Sequence, residues 1–506
     1  MRRRLPAGRL ITPLALVAGL VLGVPLVECR LAGDRQAVPA TGTPAAANAA
    51  AAATGTARMS ALAGSATATA ATAAAATATA AAPVAPAPPA PDRLYVYEGA
   101  GTPNQRLLVL DAATGTPERE LPLGAPARDW SRLYAVERLN GQSMLRTTVR
   151  AVDPTTGAAV WEATLEGDYT LPLSNGVTPG GLSPNGRWLA LQGIVGAEQM
   201  RTFQRERRWQ SRFVVLDTTG ERAPQHVELE GSFWVFAVGD DGATVYLAES
   251  LPPLSPTEQQ IRVYDLAREA LEPSPVVDQS GAASFWGARV AGLLSPDGRR
   301  HYGLYVSTTE APFVHALDLA GRTAARIPLP GARRTGGEED LLWTLASSRD
   351  GATLYAVNAA LANAALASVF ELDAARLEVR RAAELSLRAA RPPGLLAALA
   401  RWLVPAAEAK RLLIGGAALS PDGSTLYALG EQGLIAVDTR TLSVRGRYLE
   451  GWTLDSLALS PGGERLYAVS LDRRKLLRVD PETGALLGEV AGLSRPWGVL
   501  RVEATR

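Results

Sequence analysis

The chain has 506 residues, with 51 Lys and Arg against 50 Asp and Glu, and a single cysteine. A balance so near neutral gives no bulk electrostatic support to a nucleic-acid partner. Cys29 alone excludes an intrachain disulfide and a cysteine-built metal site, and the three histidines, His226, His301 and His315, stand singly.

Arg2, Arg3, Arg4 and Arg9 precede an apolar run of 18 residues, Leu10 to Val27. A positive start before such a run reads as a signal peptide or an uncleaved anchor. No small-x-small cleavage site follows, and the arginines obey the positive-inside tendency. Residues 1–30 are therefore expected to be a signal-anchor, leaving the rest extracytoplasmic; cleavage and secretion are the alternative. Cys29, in Leu26-Val27-Glu28-Cys29, resembles a lipoprotein lipobox in its Leu and Cys, but Glu28 stands where a small residue belongs. Residues 31–91 are rich in Ala, Thr and Pro with no amphipathic face to bury, which predicts a disordered stalk. Its end, Pro83 to Pro91, is expected to be stiffer and polyproline-II-like.

From Asp92 onward the sequence repeats. The plainest unit is Leu457–Leu487, in which short apolar runs are separated by Pro, Gly and Asp turns. Such runs read as antiparallel strands joined by tight turns. An apolar residue followed by Tyr marks the second strand of nearly every unit: Leu94-Tyr95, Leu133-Tyr134, Val245-Tyr246, Leu304-Tyr305, Leu354-Tyr355, Leu426-Tyr427 and Leu466-Tyr467, with Trp188-Leu189 in the third. An aspartate closes each third strand: Asp111, Asp153, Asp217, Asp265, Asp318, Asp373, Asp438 and Asp480. Both markers count eight. The shortest aspartate spacing, 42 residues, matches a four-stranded propeller blade of roughly 40–45 residues. Between first and second strands the turn recurs as Ser183-Pro184-Asn185-Gly186, Ser295-Pro296-Asp297-Gly298, Ser348-Arg349-Asp350-Gly351, Ser420-Pro421-Asp422-Gly423 and Ser460-Pro461-Gly462-Gly463. Pro presets one turn position and Gly accepts the positive φ that follows. Gly239-Asp240-Asp241-Gly242 is a degenerate form.

These turns, with the LYAV-like strands and Asp-x-x-Thr-Gly corners, resemble the bacterial YVTN-type and WD-repeat-like β-propeller family over residues 92–506. The resemblance implies an all-β, eight-bladed propeller, with seven blades as the alternative, and leaves function open. The first unit begins with its second strand, so Trp497–Val502 is expected to supply the missing inner strand of blade 1 and close the ring. The second unit has only Gly124 to Arg132 for an inner strand, which leaves a three-stranded blade open there. Trp161, after Asp153-Pro154-Thr155-Thr156-Gly157, resembles the tryptophan-docking motif of pyrroloquinoline-quinone propellers; the pattern occurs once, the adjacent-cysteine pair is absent, and blade packing is the expectation.

Two aspartate spacings, 64 and 65 residues, carry inserts near 194–212 and 387–411. Both fall at connections on one face, as does the Pro-rich loop Leu251 to Thr257; loops on a rigid scaffold are where function usually sits. The first insert holds Arg205, Arg207, Arg208 and Trp209, read as a solvated hairpin or an anion site. In the second, Leu395, Leu399, Trp402 and Leu403 form a helical stripe, read as rim packing or a docking helix. Trp234, Trp286, Trp343, Trp452 and Trp497 recur at the entries to inner strands, read as inter-blade packing or a ligand-holding aromatic ring. Acidic Glu338, Glu339, Asp340 and Asp455 gather near the same rim. His315 is expected to be a packing residue. No nucleophile-elbow, zincin or phosphate-loop motif is present. No catalytic residue, metal ligand or cofactor is assigned. The reading is a monomeric, membrane-tethered propeller that binds a protein or envelope ligand on its loop-bearing face; the alternative is a propeller enzyme, quinoprotein-like or lactonase-like.

Overall fold

The computed structural model describes residues 92–505 apart from 100–101, 103, 141–144, 174–178, 207, 254–257, 308–309, 333–341, 362–365, 387–414 and 431–432. Residues 1–91, expected to form an anchor and a stalk, and the stripe Leu395, Leu399, Trp402 lie outside the described residues, as do Arg207, Glu338, Glu339 and Asp340. No helix among those described is long and apolar enough to cross a membrane.

Eight antiparallel sheets form eight blades, each built around four strands. Blade 1 pairs the C-terminal strand Pro496–Ala504, as its inner strand, with Asp92–Glu98, followed by Arg106–Asp111 and Pro117–Leu121. The ring closes as the strand count demands. Blade 2 keeps a short inner strand, Gly124–Pro126, beside Leu133–Asn140, so four strands are present there too. Eight buried apolar clusters occupy the eight seams between neighbouring blades, including the seam between blades 8 and 1.

Burial explains the composition of each strand. Second strands are covered on both faces, and Leu466–Ser470 is buried at every position, so it reads as a continuous apolar run. Outer strands face solvent, and Glu378–Ser386 is mostly exposed and charged. Each seam tyrosine or leucine taken from water contributes about 1.5–3 kcal/mol.

The signature tyrosines have a second role. Tyr246 donates to the Leu319 carbonyl at 2.8 Å, Tyr427 to the Pro481 carbonyl at 3.0 Å, and Tyr467 to Asp92 Oδ2 at 2.6 Å. In each case the second strand of one blade is tied to the following blade. A buried phenol needs such an acceptor, and the repeat places one at the neighbour's turn. Hydroxyls on third strands act similarly. Thr147 Oγ1 donates to the Gly167 carbonyl and accepts from the Tyr169 amide, and Ser211 does the same with Gly231 and Phe233. Trp161 packs beside Gly220 of the next blade, where a Cβ would lie 3.4 Å from its indole nitrogen.

Candidate functional site

One face of the ring is uniform. In the Ser-Pro-Asp-Gly turns the serine hydroxyl donates to the aspartate and accepts the amide five residues on; Ser420 to Asp422 (2.6 Å) and from Thr425 (2.9 Å) is one instance, Ser295 to Asp297 (2.5 Å) and from Arg300 (2.9 Å) another. Gly423 at φ +73° completes its turn without a Cβ penalty. The third-strand aspartates cap the other turns on this face, as when Asp111 Oδ1 accepts the amides of Ala113 and Thr114. Such bonds favour the charged form: the Arg376 amide and the Arg380 guanidinium hold Asp373 at about 2, and Ser420 holds Asp422 at about 2.

The opposite face carries the departures. The insert of blade 3 folds into the helix Ala197–Glu206, between the strands Trp188–Gly193 and Gln210–Asp217. Trp209 is buried and meets Phe203 of that helix edge-on at 5.2 Å, so it anchors the insert rather than facing solvent. Arg205 is exposed, and Arg208 is exposed but ion-paired with Glu230 at 2.9 Å.

The five inner-strand tryptophans sit in different settings. Trp343 is 1 % exposed, deep between blades 5 and 6. Trp497 stacks on Tyr97 at 4.6 Å, and Trp452 lies under the Arg473 guanidinium at 4.1 Å. Trp234 is half-buried. Trp286, at 42 %, is the most exposed of the set.

Two excursions invisible in the aspartate spacing also lie on this side. The inner strand of blade 3 pairs at Tyr169–Thr170, leaves the sheet, and returns at Leu182 opposite Leu189. The outer strand of blade 4 pairs at Ala270–Leu271 and again at Ser284–Phe285. Between those two pieces an Asp loop protrudes, in which Asp278 Oδ1 accepts from the Ser280 amide and hydroxyl and from the Ala282 amide. This loop, with Glu310, Phe313, Arg326 and Pro328 of blade 5, lines an open surface cleft of about 500 Å³. Arg326 lies over the Phe313 ring at 4.1 Å and is ion-paired with Glu310.

Behind that cleft, the seam between blades 4 and 5 differs from the other seven. It holds Phe236, Phe285, Tyr305 and Phe313, with two of the chain's three histidines. His315 is 4 % exposed and lies 5.1 Å from the Phe285 ring. Its Nδ1 has no partner. Burial pushes its pKa down to about 4, so the ring is neutral near pH 7. His301 meets Phe236 edge-on at 4.5 Å. Arg289, on the inner strand Ala288–Leu294 of blade 5, stacks over Phe236 at 5.0 Å and donates to the Leu173 carbonyl of the blade 3 excursion at 2.8 Å. Burial lowers its pKa from the usual arginine value, yet a guanidinium stays protonated.

Sequence reasoning named His315 as packing and missed Arg289. The available signal was parity: His301, Gly303 and Tyr305 alternate on one strand, as Phe313 and His315 do on the next, and Gly303 pairs with His315. That puts them on one face of blade 5. Among the described residues no group of three His, Cys, Asp or Glu is placed to hold a metal ion.

No protein-family model matches the chain, and no curated protein does. Solved structures that share its architecture include the dihydro-heme d1 dehydrogenase NirN in complex with DHE, at 15% identity and TM-score 0.47, covering 85% of this chain and 78% of that one. A 6-phosphogluconolactonase-like protein from Bacteroides uniformis matches at 15% and 0.40, covering 82% and 99%. Chaetomium thermophilum Sqt1, bound to the N-terminus of ribosomal protein L10, matches at 16% and 0.41, covering 73% and 86%. These neighbours are β-propellers that serve both as enzymes and as binding scaffolds.

Proposed function

We propose that this chain is a binding propeller, tethered outside the cytoplasm by its N-terminal segment, which engages a protein or envelope ligand through its loop-bearing face. The observation that carries this reading is the asymmetry between the faces. One face repeats the same self-satisfied turns, whose serines donate to their own aspartates and accept amides of the same turn. The other gathers the helix Ala197–Glu206, the blade 3 and blade 4 excursions and the exposed Trp286. Departures from a repeat cost ordering entropy, and loops on a rigid scaffold are where binding contacts are usually carried.

The test is site-directed photocrosslinking of the full chain in the cells that make it. A crosslinker at Arg205 or Trp286 is expected to yield a discrete adduct, and one at Asp350 or Asp422 none. Equal adducts from both faces, or adducts only from the turn face, defeat the proposal.

A further inference from the structure

The cleft between blades 4 and 5 lies on the loop-bearing face. Glu310 belongs to the connection between the second and third strands of blade 5, Arg300–Val306 and Phe313–Asp318, the same kind of connection that carries the helix in blade 3. The opposite wall is the Asp278 loop, which interrupts the outer strand of blade 4. Ala311 and Pro328 form exposed apolar rims, and Val277, beside Asp278, is 50 % exposed. At about 500 Å³ and open to solvent, the cleft has room for a protruding side chain and does not wrap a small ligand on all sides.

Its charges do not balance. Asp278 and Glu310 line it with one cation, Arg326. That guanidinium is already engaged, since it lies on the Phe313 ring at 4.1 Å and pairs with Glu310, not with Asp278. Asp278 is left over. Its Oδ1 accepts the Ser280 amide at 2.8 Å, the Ser280 hydroxyl at 2.5 Å and the Ala282 amide at 3.0 Å, and no described residue donates to its Oδ2. The Asp278 amide donates to the Ala282 carbonyl at 2.8 Å and the Gly281 amide to the Asp278 carbonyl at 2.9 Å, so the loop closes on itself and fixes the carboxylate. Burial works to raise its pKa, and the bonds from Ser280 and Ala282 outweigh burial and hold it below the usual carboxylate range. A charged group fixed in place, with one oxygen open, meets a cation at little ordering cost.

We infer that this cleft docks a basic side chain, Lys or Arg, presented by a partner protein. The resident Arg326 shows that the walls accept such a group, with its cationic head held between a carboxylate and an aromatic ring. The incoming head group donates to Asp278 Oδ2 in a charge-assisted bond, and its methylene stem lies along Ala311 and Pro328. An anion on Arg326 would have to displace Glu310 and approach Asp278, and like charges placed together are disfavoured. This rests on the reading that the loop-bearing face is the binding face, and it names the partner chemistry there.

The test is fluorescence anisotropy of labelled oligo-arginine, oligo-glutamine and oligo-glutamate peptides with the purified full chain at low ionic strength. Saturable binding of oligo-arginine, with the other two silent, is expected. D278N keeps the Oδ1 acceptor that holds the loop and loses the charge, and should weaken that binding about tenfold. R326Q removes the resident cation and should tighten it by about two- to fivefold, whereas an anion site would lose its binding. D350N, the same change on the turn face, should bind as wild type. Absence of saturable oligo-arginine binding overturns the site, as does preference for oligo-glutamate, wild-type affinity in D278N, equal weakening in D350N, or weaker binding in R326Q. If R326Q does not fold, D278N decides alone. A failure here with face-specific crosslinking intact removes the cation site and leaves the binding face standing.

Discussion

Seams 8–1 and 4–5 solve the same packing problem with opposite polar accounting. Between blades 8 and 1, where the two ends of the propeller meet, charged and polar side chains tie the strands together. Asp92 accepts from Arg465 Nη1 at 3.1 Å and from Tyr467 at 2.6 Å. Glu98 Oε1 accepts the amides of Ser494 and Arg495 and the Ser494 hydroxyl. Ser456 accepts the Val499 amide. Between blades 4 and 5, aromatic rings surround a neutral His315 whose Nδ1 has no partner, and Arg289 stacks on Phe236. The difference teaches that the closure is held by charged and hydrogen-bonded groups, while the blade 4–5 seam is held chiefly by aromatic packing.

The largest effect expected from breaking this contrast is at Asp92. D92A removes the carboxylate that Arg465 and Tyr467 share in a closed seam and should cost about 3 kcal/mol, measured by chemical denaturation. A loss under about 1 kcal/mol would mean that the ring is not latched there. Next is the pH response of the other seam. His315 has a folded pKa of about 4 against an ordinary value near 6.5, so only the unfolded chain takes up that proton between those two pH values. Stability should fall with pH across that window, by about 3 kcal/mol in total from this ring, and H315Q should remove that component of the slope; identical slopes in both proteins would refute it. Y467F keeps the ring and deletes one charge-assisted hydrogen bond, for a loss of about 2 kcal/mol. On the uniform face, S420A removes two short bonds from one turn and should cost about 1 kcal/mol without altering crosslinking.

Much of this was legible from residues because the repeat advertises local demands. The turn aspartates need their own neighbouring amides, and the tyrosines before LYAV-like runs need an acceptor one blade on. Counting these gave eight blades and the missing inner strand that Pro496–Ala504 fills. The blade 3 insert was located from an excess of residues, but its helix was not foreseen: Ala197–Glu206 carries only Met200 and Phe203 as large apolar residues. Trp209 looked like part of a basic surface and is buried, since the helix folds back on it.

The sequence by itself determined the repeating scaffold, its closure and the place of the blade 3 insert, because those follow from hydrogen bonds and burial patterns that recur within about forty residues. Tertiary structure alone decided what Arg289 is. The groups it meets, Phe236 and Leu173, come from other blades and lie far from it in sequence.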